Sequence, residues 1–480
     1  MDIAKKGMRI HFSFFILLVF LTTLIKSQYL ISCDYIGPTS GTILSSTSGL
    51  NLDYDVGMYK LTYNTVDSDS LPITATGAFF TPENTFCKEF PFATYNHGTT
   101  LAKDNVPSNN SSEALIGKIF AAGGYFVCLP DYIGMGGSPG LHPYVHAATE
   151  ATATIDMIRA AREFLSSDTL FIDNNEVFLT GYSQGGHACM ATNKYIQDNN
   201  LLSEFNITAS APCSGPYDLS GIMADTIISP TPYSNPGYIL YLLASYELVY
   251  GDIFNSWSEV LYSPYDTIAP PFFSGNNTTL DMSLLNSLIP NDMSLLIRDT
   301  CLNNFANDSI NKTHPWWSAL IKNDNYDWSP SNPVRMYYCT LDEQVAFTNA
   351  INADVAMNNN GANDVQSIDI GNLNHGGCVF PALSSAFNWF QSLKSPCATT
   401  SNNFKNSNTN KIYPNPFSNN LSLSYNERVN VCIYALDGEL LFKKDNIKNL
   451  KLITSNWSKG MYILRAKNTN YYQNNLISKQ

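Results

Sequence analysis

The residues best suited to chemistry are a serine framed by glycines, Gly181-Tyr182-Ser183-Gln184-Gly185. A serine hydroxyl is a poor nucleophile unless a base removes its proton and the chain presents it in an exposed position. A sharp strand-to-helix turn does this, and only small residues two positions on either side fit its backbone. The motif follows an apolar strand pattern at 176–180 and precedes a helical pattern at 184–199. The context predicts Ser183 as a nucleophile, against the alternative of an ordinary glycine-rich turn.

The base follows largely by elimination among seven histidines. On a fold with this serine turn, the catalytic residues run along the chain in the order serine, acid, histidine. Only His314 and His375 come after the serine without belonging to its own helix. His375 follows a strand pattern at 364–370 and opens a Gly-Gly turn, so it is the predicted base. A loop histidine without a role is the alternative, and His187 is interpreted as a packing or capping residue.

The acid is expected just beyond the strand pattern at 334–340. Asp342 comes directly after this strand, where a buried carboxylate could hold the histidine tautomer. Glu343 and Asp369 are the fallback candidates. The alternative interpretation of Asp342 is an aspartate that only forms a turn.

Two backbone N–H groups should stabilise the oxyanion of the transition state. Gln184 follows the nucleophile and is the first candidate, and Thr99, in the turn-like segment 96–100, is the second. The glycine-rich stretch 130–138 lacks the lysine and the spacing of a phosphate-binding loop, so it is interpreted as a structural loop braced by Asp131. The sequence has no CxxC pair and no zinc-type spacing, and we predict neither a metal nor a cofactor.

Strand and helix patterns alternate before residue 214 and again after 332, which predicts an α/β fold with a mostly parallel sheet covered on both faces. The stretch 214–332 is rich in Tyr, Trp, Pro and Asn and predicts an inserted helical cap, because a structureless loop of that length is improbable. Residues 400–410 are polar and predict a linker. Short alternating runs at 411–480 predict a small all-β sandwich domain.

Charge and targeting signals indicate an exported protein rather than a nucleic-acid binder. The formal net charge is −13; the last 80 residues hold 11 basic and 4 acidic residues, a net of +7, which leaves −20 for the first 400. Clustered Lys and Arg are needed to bind phosphates, so a nucleic-acid partner is not expected. Residues 1–27 predict a signal peptide, with lipid anchoring at Cys33 as a weaker alternative. No other segment predicts a membrane span.

The buried-strand positions of Cys128, Cys189, Cys213 and Cys339 favour small buried side chains at least as much as disulfides.

Several motifs together resemble the α/β-hydrolase family of secreted lipases and esterases over residues 55–395: NHGTT, PDYIGMGGS with HPY, GYSQGG, SGPYDL, DEQV and NHGGC. The resemblance implies a serine esterase mechanism, a lid-like cap entered near 215–219, and a triad of Ser183, Asp342 and His375. Residues 411–480 resemble the C-terminal sorting domain of type IX secretion, through YPNPFSNNLSL, VCIYALDGELL and KGMYILRA. That resemblance implies a partner in the secretion machinery and a secreted or cell-surface location.

The predicted organisation is therefore a signal peptide at 1–27, a hydrolase domain at 28–399, a linker at 400–410 and a sorting domain at 411–480. The predicted activity is hydrolysis of a small-molecule or lipid ester, and the aromatic cap favours an apolar acyl chain. A serine peptidase on the same fold is the first alternative, because triad geometry does not separate esters from amides. A catalytically inactive secreted binding protein is the second.

Overall fold

The computed structural model describes residues 28–85, 87–167, 171–397, 411–435, 440–468 and 471–480. The predicted signal peptide and linker lie outside the described residues. Within them, nine strands form one sheet. The strands are β1 (Leu30–Thr39), β2 (Asp55–Val66), β3 (Pro72–Glu83), β4 (Glu89–Asn96), β5 (Phe126–Pro130), β6 (Ile172–Tyr182), β7 (Asn206–Cys213), β8 (Val334–Tyr338) and β9 (Val365–Asp369).

The sheet order is β1-β2-β3-β5-β4-β6-β7-β8-β9. The first four strands in this order pair antiparallel, and the six from β5 to β9 pair parallel. The prediction of a mostly parallel sheet is confirmed. Strand β1 was not predicted, because its ten residues are half-exposed or exposed throughout and show no alternation of apolar and polar side chains.

Helices cover both faces of the sheet, as burial of both faces requires. One face packs against α1 (Gly41–Ser48), α2 (Ala114–Ala122) and α14 (His375–Leu393), through aromatic side chains such as Phe120 and Phe390. The other packs against α3 (Ala147–Ser167), α4 (Gln184–Asp198) and α13 (Thr348–Asn359).

A cap of short helices lies between β7 and β8, as predicted, and has its own apolar core. That core contains two fully packed tryptophans, Trp316 and Trp317. The cap helices are α5 (Ala224–Ile228), α6 (Pro236–Tyr250), α7 (Trp257–Val260), α8 (Tyr265–Ile268), α9 (Met282–Leu288), α10 (Met293–Leu296), α11 (Asp299–Asn307) and α12 (Pro315–Lys322).

The C-terminal residues form a separate antiparallel sheet, which confirms the predicted all-β domain. Alternate residues of its longest strand, including Leu421, Leu423, Val431 and Ile433, point into one small core. The strands are β10 (Lys411–Tyr413), β11 (Asn420–Ala435), β12 (Leu440–Ile453), β13 (Gly460–Asn468) and β14 (Tyr471–Lys479).

Two disulfides join distant parts of the hydrolase domain, Cys87–Cys397 and Cys339–Cys378. The interpretation of Cys339 as a small buried side chain was therefore incomplete, since it is buried and also bridged. Its partner follows a turn 39 residues later, and sequence spacing alone cannot pair them. Cys128, Cys189 and Cys213 are buried and free, so of the two alternatives the structure supports small buried side chains at these positions.

Candidate active site

Ser183 lies at the tip of the turn between β6 and α4, at the carboxyl edge of the parallel strands. Its backbone adopts φ 61° and ψ −122°, a conformation that an L-residue rarely takes. Such a backbone costs on the order of 1–3 kcal/mol and is retained where the surrounding structure enforces it. The turn lifts the serine out of the strand and starts the helix at the next residue, which presents the hydroxyl at the sheet edge.

Close backbone contacts explain the glycines around this turn. A Cβ atom at Gly181 would lie 2.0 Å from the Gly185 carbonyl oxygen, and one at Gly185 would lie 1.8 Å from the Asn96 carbonyl oxygen. A Cβ at Gly186 would lie 2.5 Å from the carbonyl oxygen of Cys213. Because all three contacts are with main-chain oxygens, no side-chain movement could relieve them. The motif therefore reflects how tightly β4, β6 and α4 meet beneath the serine.

Asp342 and His375 form a hydrogen-bonded pair at the same sheet edge. The Asp342 Oδ2 atom lies 2.7 Å from His375 Nδ1, and the two side chains are 1% and 8% exposed. The other oxygen of Asp342 accepts the N–H groups of Gln344 and Val345 at 3.0 and 2.9 Å. The carboxylate is therefore held from both sides. A carboxylate on Nδ1 places the proton there and directs the Nε2 lone pair outward.

The two fallback acids do not contact the histidine ring. Glu343 instead accepts the backbone N–H of His375 at 3.0 Å. Partial burial raises the pKa of Glu343, but hydrogen bonds, chiefly this one, lower it more, so the pKa lies below its ordinary value. Asp369 accepts the N–H of Gly371 at 2.8 Å on the exposed end of β9. Among the three predicted acids, Asp342 alone is in position to orient the ring.

The serine turn and the histidine are joined through Tyr182. Its hydroxyl donates to the His375 carbonyl oxygen at 2.7 Å, and the two rings lie 5.0 Å apart. Within the described residues no hydrogen bond links the Ser183 hydroxyl to His375; in the absence of substrate such contacts are often long and tighten only in the complex. The Cys339–Cys378 disulfide ties the end of β8, three residues before Asp342, to the first turn of α14.

The candidate oxyanion donors flank the serine. Gln184 is the first residue of α4, where helical N–H groups have no carbonyl partner within the helix. The segment before Thr99 packs against the turn, since a Cβ on Gly98 would lie 3.9 Å from the Ser183 Cβ. The Thr99 hydroxyl is 2.9 Å from the Tyr144 hydroxyl.

A cavity that is open to solvent extends from Ser183 and Gln184 into the cap. Its wall is mainly apolar and aromatic. The lining residues are Tyr144, Val145, Pro216, Leu219, Met223, Thr226, Ile227, Tyr233, Tyr238, Ile239, Leu242, Leu320, Gln344 and Val345. A second, smaller space shares Ile227, Ile239, Leu242 and Leu320 with it and continues towards Phe305 and Trp316.

The other residues considered in the sequence have structural contacts. His314 caps α12 by accepting the Trp316 N–H, and His187 is fully buried against Glu150. Asp131 braces its loop, as predicted, by accepting the Ser108 N–H and the Thr76 hydroxyl. Nothing in the described ranges groups three or more potential metal-binding side chains. Nor does any described helix have the length and apolar character to cross a membrane.

Two family models match the chain. The model for secretory lipases matches residues 111–202, which contain the serine turn, and the model for secretion-system C-terminal sorting domains matches 411–479. No curated protein sequence matches it. Among solved structures, the rice cell wall degrading esterase LipA from Xanthomonas oryzae is 26% identical, with a TM-score of 0.67 over 76% of this chain and 97% of LipA.

The chain has the α/β-hydrolase fold and is a secreted or cell-surface hydrolase similar to lipases and esterases. Two more distant structures share the fold. One is a putative hydrolase from Legionella pneumophila, 24% identical with a TM-score of 0.68 over 76% of this chain and 98% of its own. The other is Candida antarctica lipase A in its closed state, 17% identical with a TM-score of 0.55 over 77% and 84% of the two chains. The hydrolase acts on esters and carries a sorting domain that marks it as secreted or cell-surface.

The sequence did not point to one polar cluster behind the serine. The side chains of Glu150 and His142 both contact that of Gln184, and all three residues are buried. Glu150 lies in the helical run AATEATATIDM, where a single acid is typical of a solvated helix face. The only available signal was indirect: an acid in the first turn of α3 that has no Lys or Arg three or four positions away.

Proposed function

We propose that the hydrolase cleaves carboxylic esters through a triad of Ser183, His375 and Asp342. The observation that carries the proposal is the 2.7 Å contact between Asp342 and His375 at the sheet edge that also presents the strained serine turn. The fold, the esterase and lipase relatives and the apolar cavity at Ser183 support the same reaction class.

In the proposed mechanism, His375 Nε2 takes the hydroxyl proton as Ser183 Oγ attacks the ester carbonyl carbon. The resulting oxyanion accepts hydrogen bonds from the Gln184 and Thr99 N–H groups. His375 then gives the proton to the departing alcohol, and an acyl-enzyme remains on Ser183. Water, deprotonated by the same ring, attacks the acyl carbon and releases the acid. Asp342 keeps the ring in one tautomer and stabilises the imidazolium.

The cavity favours an apolar acyl group. Its wall offers few polar atoms, and burial of methylene groups contributes about 0.8 kcal/mol each. The phrase "rice cell wall degrading" belongs to LipA from Xanthomonas oryzae; for this hydrolase we propose an ester with an aliphatic acyl chain held under the cap.

The peptidase alternative is less well supported. A peptidase that binds a free amino terminus needs an acidic cluster beside the nucleophile, and none of the residues lining the cavity is acidic. An inactive binding protein would have no reason to retain the Asp342–His375 contact beside a strained serine turn.

Hydrolysis of p-nitrophenyl butyrate and of alanine p-nitroanilide by the purified chain would test this proposal, together with labelling by a fluorophosphonate probe. We expect ester hydrolysis and labelling, both abolished in Ser183→Ala, with little anilide hydrolysis. Anilide hydrolysis exceeding ester hydrolysis would favour the peptidase. Undiminished ester hydrolysis in Ser183→Ala would refute the assigned nucleophile.

We further propose that residues 411–480 address the hydrolase to type IX secretion machinery. The sorting-domain match over 411–479 and the separate sheet at these residues support it. In a host with that machinery, the full chain is expected outside the outer membrane, whereas a chain lacking 411–480 is expected to remain in the periplasm. Equal export of both would contradict the proposal.

A further inference from the structure

The side chain of Gln184 is buried behind the nucleophile and makes two polar contacts. Its amide nitrogen Nε2 lies 2.9 Å from Glu150 Oε1 and 2.7 Å from His142 Nε2. The residue is 2% exposed. The mechanism uses only the backbone N–H of Gln184, so these side-chain contacts have no part in it.

The protonation of His142 follows from its other contact. Its Nδ1 lies 2.8 Å from the Ile133 carbonyl oxygen, which can only accept, so Nδ1 carries the proton and Nε2 accepts one from Gln184. Burial lowers the pKa of His142 to about 3, which keeps the ring neutral. Both amide hydrogens of Gln184 therefore have acceptors, one on His142 and one on Glu150.

Glu150 is itself fixed by a second partner. Its Oε2 lies 2.7 Å from His187 Nδ1, and both side chains are fully buried. The far side of the His187 ring lies 2.9 Å from the Asn323 carbonyl oxygen at the end of cap helix α12. A buried carboxylate held by two partners is a rigid anchor, because moving it would leave a charge without compensation.

We propose that Glu150 is a positioning residue for the oxyanion hole. By holding the Gln184 side chain from behind, it sets the direction of the Gln184 N–H, which follows directly after the strained Ser183 backbone. Stabilisation of an oxyanion requires donors within a few tenths of an ångström of their best position. The inference rests on the proposed function, because it requires Gln184 to donate in the transition state.

The test compares Glu150→Gln with Glu163→Gln in the full chain. Glu163 lies on the same helix and also accepts two hydrogen bonds, from the Tyr29 and Leu30 N–H groups, away from the serine. The assays measure kcat and KM for p-nitrophenyl butyrate per active site titrated, and the inhibition constant of an alkyl trifluoromethyl ketone. Such a ketone forms a tetrahedral oxyanion adduct with the serine and so reports on the hole itself.

For Glu150→Gln we expect kcat to fall by up to about 10-fold and KM to stay within about 2-fold. The ketone inhibition constant should rise by the same factor by which kcat/KM falls. The expected drop is smaller than the factor of about 10²–10³ that loss of a whole oxyanion donor costs, because the donor is displaced and not removed. Glu163→Gln should match the unsubstituted enzyme in all three. If Ser183→Ala abolishes activity but Glu150→Gln leaves kcat per titrated site or the ketone inhibition constant unchanged, the positioning role is wrong and the proposed function stands. Full activity in Ser183→Ala would instead overturn the proposed function.

A second variant guards against misfolding of Glu150→Gln. Gln184→Met keeps the side-chain length and the Glu150–His187 contact but removes the amide, and we expect it to raise the ketone constant in the same way. Because the two residues act through one contact, combining the substitutions should cost no more than Gln184→Met alone. Additive losses in the combined variant would contradict the inference.

Discussion

Among the residues that the structure describes, two histidine–carboxylate pairs have the same hydrogen-bond distance and different surroundings. In both His375–Asp342 and His187–Glu150, the Nδ1-to-oxygen distance is 2.7 Å. In the first pair, Asp342 lies in the loop after β8 and His375 is the first residue of α14, at the carboxyl edge of the parallel strands. The second lies between α3 and α4, with both side chains fully buried.

The difference lies at the other ring nitrogen. The Nε2 atom of His187 is 2.9 Å from both the Asn323 carbonyl oxygen and the Asn325 side-chain nitrogen. The Nε2 atom of His375 has no hydrogen-bond partner among the residues that the structure describes. A general base needs a lone pair that can reach the reacting group, so the contact with a carboxylate does not by itself identify one. By this criterion the first pair suits catalysis and the second suits structural support.

The largest expected effect comes from Asp342→Asn. The amide would hold His375 in the wrong tautomer, and in triads of this kind such a change lowers kcat by about 10⁴. The measurement is kcat for p-nitrophenyl butyrate, with unchanged circular dichroism as the folding check. Asp369→Asn is the matched control, since this fallback candidate accepts a hydrogen bond from a backbone N–H and does not contact the ring. The kcat of this variant should stay within about 2-fold of the unsubstituted enzyme. Equal losses in both variants would remove the distinction between the two carboxylates.

The first pair could be predicted from the sequence and the second could not. The serine motif is local in the sequence. The order of catalytic residues along the chain and the predicted ends of the strands then leave only a few candidates for the acid and the base. Glu150 meets its partners through tertiary packing alone: Gln184 and His187 are 34 and 37 residues away. Such contacts leave no periodic pattern in the sequence.

The fold was predictable to a similar degree. Buried parallel strands read as apolar runs, so the central sheet and its helices follow from the sequence. The edge strand β1 was missed because its side chains are largely exposed and its pairing contains two register shifts. Helix α14 begins at His375, where the sequence predicts a Gly-Gly turn, because Asn374 caps the helix by accepting the Gly377 N–H.

A second prediction compares the stability cost of removing each histidine. His187→Ala would leave the Oε2 atom of the fully buried Glu150 without its hydrogen-bond partner, and breaking a buried pair costs about 3–5 kcal/mol. His375→Ala should cost less, because Asp342 keeps two backbone N–H donors. Urea unfolding of both variants gives the two free energies of unfolding. A larger loss in His375→Ala would reverse the assignment of the structural pair.

The covalent bond beside the first pair gives a third prediction. Of the two described pairs, Asp342–His375 is the one bracketed by a disulfide, Cys339–Cys378. Replacing both cysteines by alanine should lower the free energy of unfolding by about 2–4 kcal/mol. We also expect a lower kcat, since the loop and the helix would lose their link. The double replacement of Cys87 and Cys397 is the control: it should cost stability but leave kcat unchanged. Unchanged kcat in both variants would show that the bond is not needed to align the pair.

The smallest effect concerns acid sensitivity beside the buried pair. Burial, and then the nearby His187, lower the pKa of His146 to about 4. Between this value and about 6.5 the unfolded chain binds more protons than the folded one, so this group destabilises the fold as pH falls. Between pH 7.5 and pH 5 the loss amounts to about 2 kcal/mol.

His146→Gln should remove that loss. Burial raises the pKa of Asp324 to about 6, which acts in the opposite direction, but Asp324 is present in both proteins and cancels in their difference. Urea unfolding at pH 7.5 and pH 5 should therefore show the variant gaining about 2 kcal/mol on the unsubstituted enzyme as pH falls. A difference independent of pH would mean that His146 titrates alike in the folded and unfolded chains. The folded protein would then accept a protonated His146 beside the second pair without cost, contrary to what the burial of this region leads us to expect.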